Sequence, residues 1–169
     1  MNICVHTAVG PNRQVVHRKR TERRWDNVRV AHRIAIDTNL LIAALTKPQG
    51  ASGRLLQAWR DGEVENVASE ATVREAELVL GGGWLARMVG REQVEALLKD
   101  LRERSVWVDE PALIDDLDLK DAGDLRMVEA AVAGGAELIA TTDREFLSKR
   151  GYGPVEFVTP TEALKRLGL

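Results

Sequence analysis

From Arg33 to the carboxyl terminus, short apolar runs of strand character alternate with helical periods, and this alternation constrains the fold more than any other feature. The strand-like pieces are Arg33 to Ile36, Val64 to Ala68, Val106 to Val108, Glu137 to Thr141 and Val155 to Val158. Between them the pattern predicts a helix over Leu40 to Leu45, another capped by Ser52 and running through Arg60, and a third capped by Ser69 and reaching Leu80. Further helices are predicted over Arg91 to Arg104, with Val94, Leu97, Leu98 and Leu101 on one stripe, over Asp124 to Ala133, and over Thr161 to Leu167. Such an order predicts an α/β fold of three layers, a central parallel sheet with helices on both faces. Gly81-Gly82-Gly83 follows a helix rather than a strand, so it is expected to stop that helix and not to cradle phosphate.

At 169 residues the chain holds one domain of ordinary size and a tail, but not two domains. The longest apolar runs, such as Leu40 to Leu45, fall far short of the roughly 20 residues that span a bilayer. No membrane association is expected. The opening MNICVHTAVG lacks the cationic start and sustained apolar stretch of a secretory signal, which points to the cytoplasm. The single cysteine, Cys4, excludes an internal disulfide and a Cys-rich zinc site.

The net charge of −2 conceals a division along the chain. Residues 1–33 hold eight Lys/Arg against two acids, whereas the remainder holds sixteen basic and twenty-four acidic side chains. Residues 1–32, which have no helical or strand period, are read as a basic extension of poor order, serving as a tail or as an arm for RNA phosphates or a partner. Residues 33–169 are read as the globular domain. Its acidic balance is not that of a protein gripping a long nucleic acid by counterion release, but it suits a metal-binding carboxylate cluster. Trp59, Trp84 and Trp107 are expected in the core or an interface, and Trp25, within the basic segment, is the one tryptophan placed for RNA contact.

Four acids stand where a solvated surface does not explain them. Asp37 and Asp143 each follow an apolar strand directly, at the carboxyl edge where open α/β sheets bind ligands. Each also suits the plainer role of capping the next helix. On the helix ending at Leu80, a wheel of about 100° per residue groups Glu70, Arg74 and Glu77 on a polar stripe. Glu75 falls instead with Ala71, Leu78 and Val79, on a face expected to pack inward, where a lone carboxylate needs a partner. Asp124 likewise falls between Val128 and Ala131, opposite Arg126, Glu129 and Ala133. The plainer reading makes Asp121-Ala122-Gly123-Asp124 a helix-start box. Carboxylates converging on one edge repel, and a divalent cation removes that cost. With no Cys site and none of His6, His17 and His32 in these segments, hard oxygen ligands favour Mg²⁺ or Mn²⁺ and hydrolytic attack on a phosphodiester.

RIAIDTNLLIAAL, SEATVREAELVL, KDAGDLRMVEAAVAGGAELIATTDREFL and VEFVTPTEAL, in this order and spacing, resemble the PIN-domain family, which includes the VapC-type toxins of bacterial toxin–antitoxin pairs. The resemblance runs from Arg33 to about Leu164 and implies a metal-dependent endoribonuclease, with an antitoxin protein and a second copy of the chain as partners. It implies Asp37, Glu75, Asp124 and Asp143 as the catalytic acids, and Asp37, Asp124 and Asp143, with the extra acid Asp121, as metal ligands. Asn39 and Thr141 or Thr142 match small polar positions that orient ligands or metal-bound water. Ala122-Gly123 stands where relatives often carry Pro and a further Asp, which leaves one or two metal ions open. Two rivals remain. A doubly wound phosphoryl-transfer domain needs an Asp nucleophile and a Lys that no apolar strand here supplies. A catalytically silent PIN-like module would bind RNA or a partner without turnover.

Overall fold

Ile34 and Ala35 are consecutive, point to opposite faces of their strand and are both buried, so this strand is covered from both sides. The computed structural model, which describes the backbone of Val16–His17 and residues 32–169, shows what covers it. Its strands are β1 (Val16–His17), β2 (His32–Ile36), β3 (Val64–Ser69), β4 (Val106–Val108), β5 (Leu138–Ala140), β6 (Gly151–Tyr152) and β7 (Val155–Val158). Its helices are α1 (Thr38–Thr46), α2 (Ala51–Asp61), α3 (Glu70–Leu80), α4 (Gly83–Val89), α5 (Arg91–Arg104), α6 (Ala122–Ala133), α7 (Arg144–Lys149) and α8 (Pro160–Leu167). One core, on the Ile34 side, joins Leu40, Leu55, Trp59, Leu80 and Leu97 from α1, α2, α3 and α5. The other, on the Ala35 side, joins Val128, Ile139, Phe146 and Phe157 from α6, β5, α7 and β7, with the two phenylalanine rings edge to face at 5.0 Å. The expected three-layer α/β architecture is therefore present.

The sheet order is β1-β4-β3-β2-β5-β7-β6. The five inner strands are parallel, as expected, but the edge strands β1 and β6 run antiparallel to their neighbours. β6 is too short to show a strand period; it forms because Gly153, in the left-handed region at φ 55°, lets the chain turn back from Tyr152 onto β7. Val16–His17 pair with β4. The remaining expectations for the basic extension, its order and the role of Trp25 included, lie outside the described residues. Among the described residues no helix is long and apolar enough to cross a membrane.

Several local expectations are corrected. Gly50, not Ser52, caps α2, because the helix starts at Ala51. The glycine run does end α3, yet Gly83 opens the seven-residue α4, whose Leu85 is fully buried. α6 starts at Ala122, with Asp121 as its cap, and Ala133 packs into the core because both helical layer and sheet reach it. On α3 the buried side chains are Val73, Ala76 and Leu80, whereas Leu78 is 81% exposed and Val79 is 37% exposed. The helix rests on its Val73 side, which leaves the Leu78 side over an open groove.

From β2 the chain crosses to β3 on one side and later to β5 on the other, so the order reverses beside β2. Carboxyl ends of strands at such a reversal splay and leave a crevice. Here β3 pairs with β2 only as far as Asn66, opposite Ile34, and then swings to β4 through Val67, Ala68 and Ser69. The side chain of Asn66, which is 2% exposed, fills the gap: its Oδ1 accepts from Ile36 N–H at 3.0 Å and its Nδ2 donates to Ser105 Oγ at 3.0 Å. Asn66 thus holds the last residue before Asp37. Asn66→Ala strands a buried amide and a buried hydroxyl, and chemical denaturation should show a loss of about 1–3 kcal/mol.

Candidate functional site

Asp37 ends β2 and caps α1, its Oδ1 accepting from Asn39 N–H at 3.0 Å. The cap uses one oxygen. The other, Oδ2, accepts from Thr141 Oγ at 2.5 Å, and Thr141, at the end of β5, is fully buried. The same hydroxyl accepts from Asp143 N–H at 2.9 Å, so one threonine ties both strand ends together. Asp143 in turn caps α7, its Oδ1 accepting from Glu145 N–H at 2.6 Å and from Phe146 N–H at 3.2 Å. Asn39 and Thr142 lie exposed at the rim, Asn39 at the start of α1 and Thr142 on the turn between β5 and α7.

The remaining acids come from α3 and α6. Asp121 caps α6 by accepting from Gly123 N–H at 2.7 Å, and Asp124, in the first turn, is half-buried. Glu75 reaches across from α3 to lie against Gly123. A methyl group at Gly123 would stand 2.5 Å from Glu75 Oε2 and 3.1 Å from Asp121 Oδ1, so the absence of a side chain there sets how closely the two helices' acids approach. Glu75 is half-buried as expected, although for a different reason: it faces the start of α6, not an apolar contact of Leu78 and Val79.

The acids sense one another. Burial, then the charges of Asp121, Asp37, Asp143 and Glu75, push the Asp124 carboxyl up to about 7. Burial chiefly, then Asp121 and Asp37, raise that of Glu75. Burial also raises that of Asp37, against the opposing hydrogen bonds from Thr141 and Asn39. Asp37, Asp143 and Asp121 thus stand at the starts of α1, α7 and α6, with Asp124 in the first turn of α6 and Glu75 reaching Gly123 from α3. This donor set, all hard oxygen and carrying mutual repulsion, fits a divalent cation of the Mg²⁺ or Mn²⁺ type. Among the described residues, however, no three acidic or imidazole groups are gathered closely enough to clasp one ion as they stand.

Asp37, Asp121 and Asp143 are helix caps, and the caps are what fix them at one edge. Asn66 and Gly123 were missed by sequence reasoning. Nothing in a lone Asn on a strand marks it as a plug, and Gly123 signals only that a helix begins with an unusual residue.

Asp37 and Asp143 directly follow the carboxyl ends of β2 and β5 in an α/β/α sandwich, the edge at which such sheets bind ligands. The PIN-domain family model matches residues 33–145, about two thirds of the chain, and the chain belongs to that family. No curated protein and no solved structure matches it.

A carboxyl held above its value in the unfolded chain, 3.8 for Asp124, keeps its proton longer when folded. The folded state then binds more protons than the unfolded chain, so this stability contribution is full below pH 3.8 and is lost as pH rises through about 7. Glu75 and Asp37 act in the same sense, whereas Glu70 and Glu77, lowered by Arg74 and Arg102 respectively, act oppositely at more acid pH. In chelator, urea denaturation between about pH 5 and 7 should show wild type losing more stability than Asp124→Asn. Parallel curves would contradict the coupling.

Proposed function

We propose that the chain is a metal-dependent endoribonuclease that hydrolyses RNA phosphodiester bonds in the cytoplasm, acting as the toxin of a toxin–antitoxin pair. The observation that carries this reading is the Thr141 hydroxyl tying Asp37 and the backbone of Asp143 together at the carboxyl ends of β2 and β5, in a chain of the PIN-domain family. Asp37, Asp124 and Asp143 would hold the ion, with Asp121 at the rim and Glu75 beside them as the remaining catalytic acid. When bound, Mg²⁺ or Mn²⁺ supplies Lewis acidity for the attack of water on the scissile phosphate. The chain's own part is geometry. Thr141 fixes the second oxygen of Asp37 and the backbone of Asp143, and Asn39 and Thr142 stand at the rim to orient water and phosphate. The N-termini of α1, α6 and α7 add the positive ends of three helix dipoles, which offset part of the repulsion among the acids and attract a phosphate. An antitoxin protein and a second copy of the chain are the proposed partners.

The open spacing of the acids favours one alternative, a silent PIN domain that binds RNA or a partner without turnover. Cleavage of a panel of structured RNAs with Mg²⁺, Mn²⁺ or chelator separates the two. Wild type should cut only with metal, and Asp37→Asn or Asp124→Asn should lower the rate by about 100-fold or more while the fold persists. Gly123→Ala should displace Glu75 and cost about 10-fold in rate without loss of stability, since Ala favours the helix and the displaced group is the end of a flexible side chain. An Asp37→Asn protein that cuts as fast as wild type would refute the mechanism.

A further inference from the structure

Beside Glu75 a groove of about 630 Å³ opens between α3, the end of β4 and the first turns of α6. Leu78 of α3 stands 81% exposed on one wall, and half-buried Trp107 and exposed Pro111 lie on the β4 side. The outer edge of β4 is taken by β1, and the direction of that pairing decides what lies next to the groove. β4 runs parallel to β3, so Val108 stands at its carboxyl end, where Val108 and Asp109 line the groove. β1 runs the other way, Val16 opposite Val108 and His17 opposite Trp107. The chain before Val16 is therefore delivered past the end of β4, at the mouth of the groove, one strand spacing of about 4.8 Å from Val108.

Fifteen residues precede β1, and fully extended they reach about 50 Å, so length does not limit what they can cover. Their chemistry fits the groove. Pro11 has no amide hydrogen to extend the ladder on β4, and Gly10-Pro11 is a pair that turns a chain. Ahead of that turn come Ile3, Val5, Ala8 and Val9, and residues 1–15 contain Arg13 but no acid, whereas the groove is lined by Glu75 and Asp109. We propose that residues 1–15 of this same chain are the occupant of the groove, with Ile3, Val5 and Val9 covering Leu78 and Trp107 and with Arg13 over the acidic Asp109-Glu110. Carbonyl oxygens of such a segment also accept from Arg126, which is exposed at the α6 side. The placement explains why α3 leaves Leu78 unburied by the rest of the domain: burying an apolar side chain under the chain's own end removes it from water as well as a core contact does. It rests on strand direction and groove chemistry alone. Its consequence, that the segment competes with substrate for the approach to Glu75, rests on the nuclease reading.

Cys4, the only cysteine of the chain, lies in this segment and takes a nitroxide spin label without any substitution. In the full-length ¹⁵N-labelled chain, the label should broaden the amide signals of Leu78, Gly123 and Arg126 at least twofold relative to the reduced nitroxide, and leave those of α8 unchanged. Leu78→Asp, a change at an exposed position, should remove most of that broadening while the rest of the spectrum persists. Broadening spread evenly over the surface, or equal in wild type and Leu78→Asp, would overturn the placement. So would broadening of an unlabelled ¹⁵N chain mixed with spin-labelled chains, which would give the groove to a second copy. Deletion of residues 2–12 should raise the rate on a single-stranded RNA with Mn²⁺ about fivefold or more at subsaturating substrate, because the open groove is then the whole population. Equal rates would overturn the competition. Hydrolysis by neither chain would count against the nuclease reading, while the nitroxide comparison still decides where the segment lies.

Discussion

Parallel pairing of β2 with β5 brings the chain to the same edge of the sheet twice, and everything at the site depends on that return. Asp37 and Thr141 are 104 positions apart, yet the register Ile36 to Ala140 sets them side by side, and the Thr141 hydroxyl closes the pair. Parallel strands require a crossover with helices on the sheet faces. Those helices bury Ile34 and Ala35 on opposite sides and leave only the strand ends free to carry polar groups. Asn66 completes the edge from the other side, taking the Ile36 amide where β3 turns away.

Charge repulsion is the cost of this convergence. Burial and the charges of four neighbouring acids raise the proton affinity of Asp124, and burial chiefly raises that of Glu75 and of Asp37. Three devices in the chain temper the repulsion. Helix N-termini present amide donors to Asp37, Asp121 and Asp143. Thr141 donates to Asp37, and Gly123 leaves room for Glu75. None supplies a positive charge, and a divalent cation is the counterion this arrangement suits.

Much of this was legible in the amino-acid order. Apolar runs ending in Asp gave both strand ends, because a strand buried on two faces reads as a continuous apolar segment and the residue after it must begin a turn. Ser69 and Asp121 declared their helices through capping chemistry, whereas Asp143 suited a cap but the six residues of α7 after it carry too little period to predict a helix. What sequence could not give was the tilt of α3. A wheel ranks faces by polarity, so it turned Leu78 inward, whereas packing against α5 and the sheet selected the Val73 face. The short α4, β1 and β6 were invisible for a related reason: two to seven residues carry too little period to stand out, and they form because neighbours offer them partners.

The most direct measurement is the ¹³C-detected titration of the Asp124 side-chain carboxyl, with and without saturating Mg²⁺. In chelator its midpoint should lie near the value of about 7 set by burial and its four acidic neighbours, and Mg²⁺ should lower it by more than a unit. A midpoint close to 3.8 in chelator, unmoved by Mg²⁺, would show that these side chains do not share a pocket.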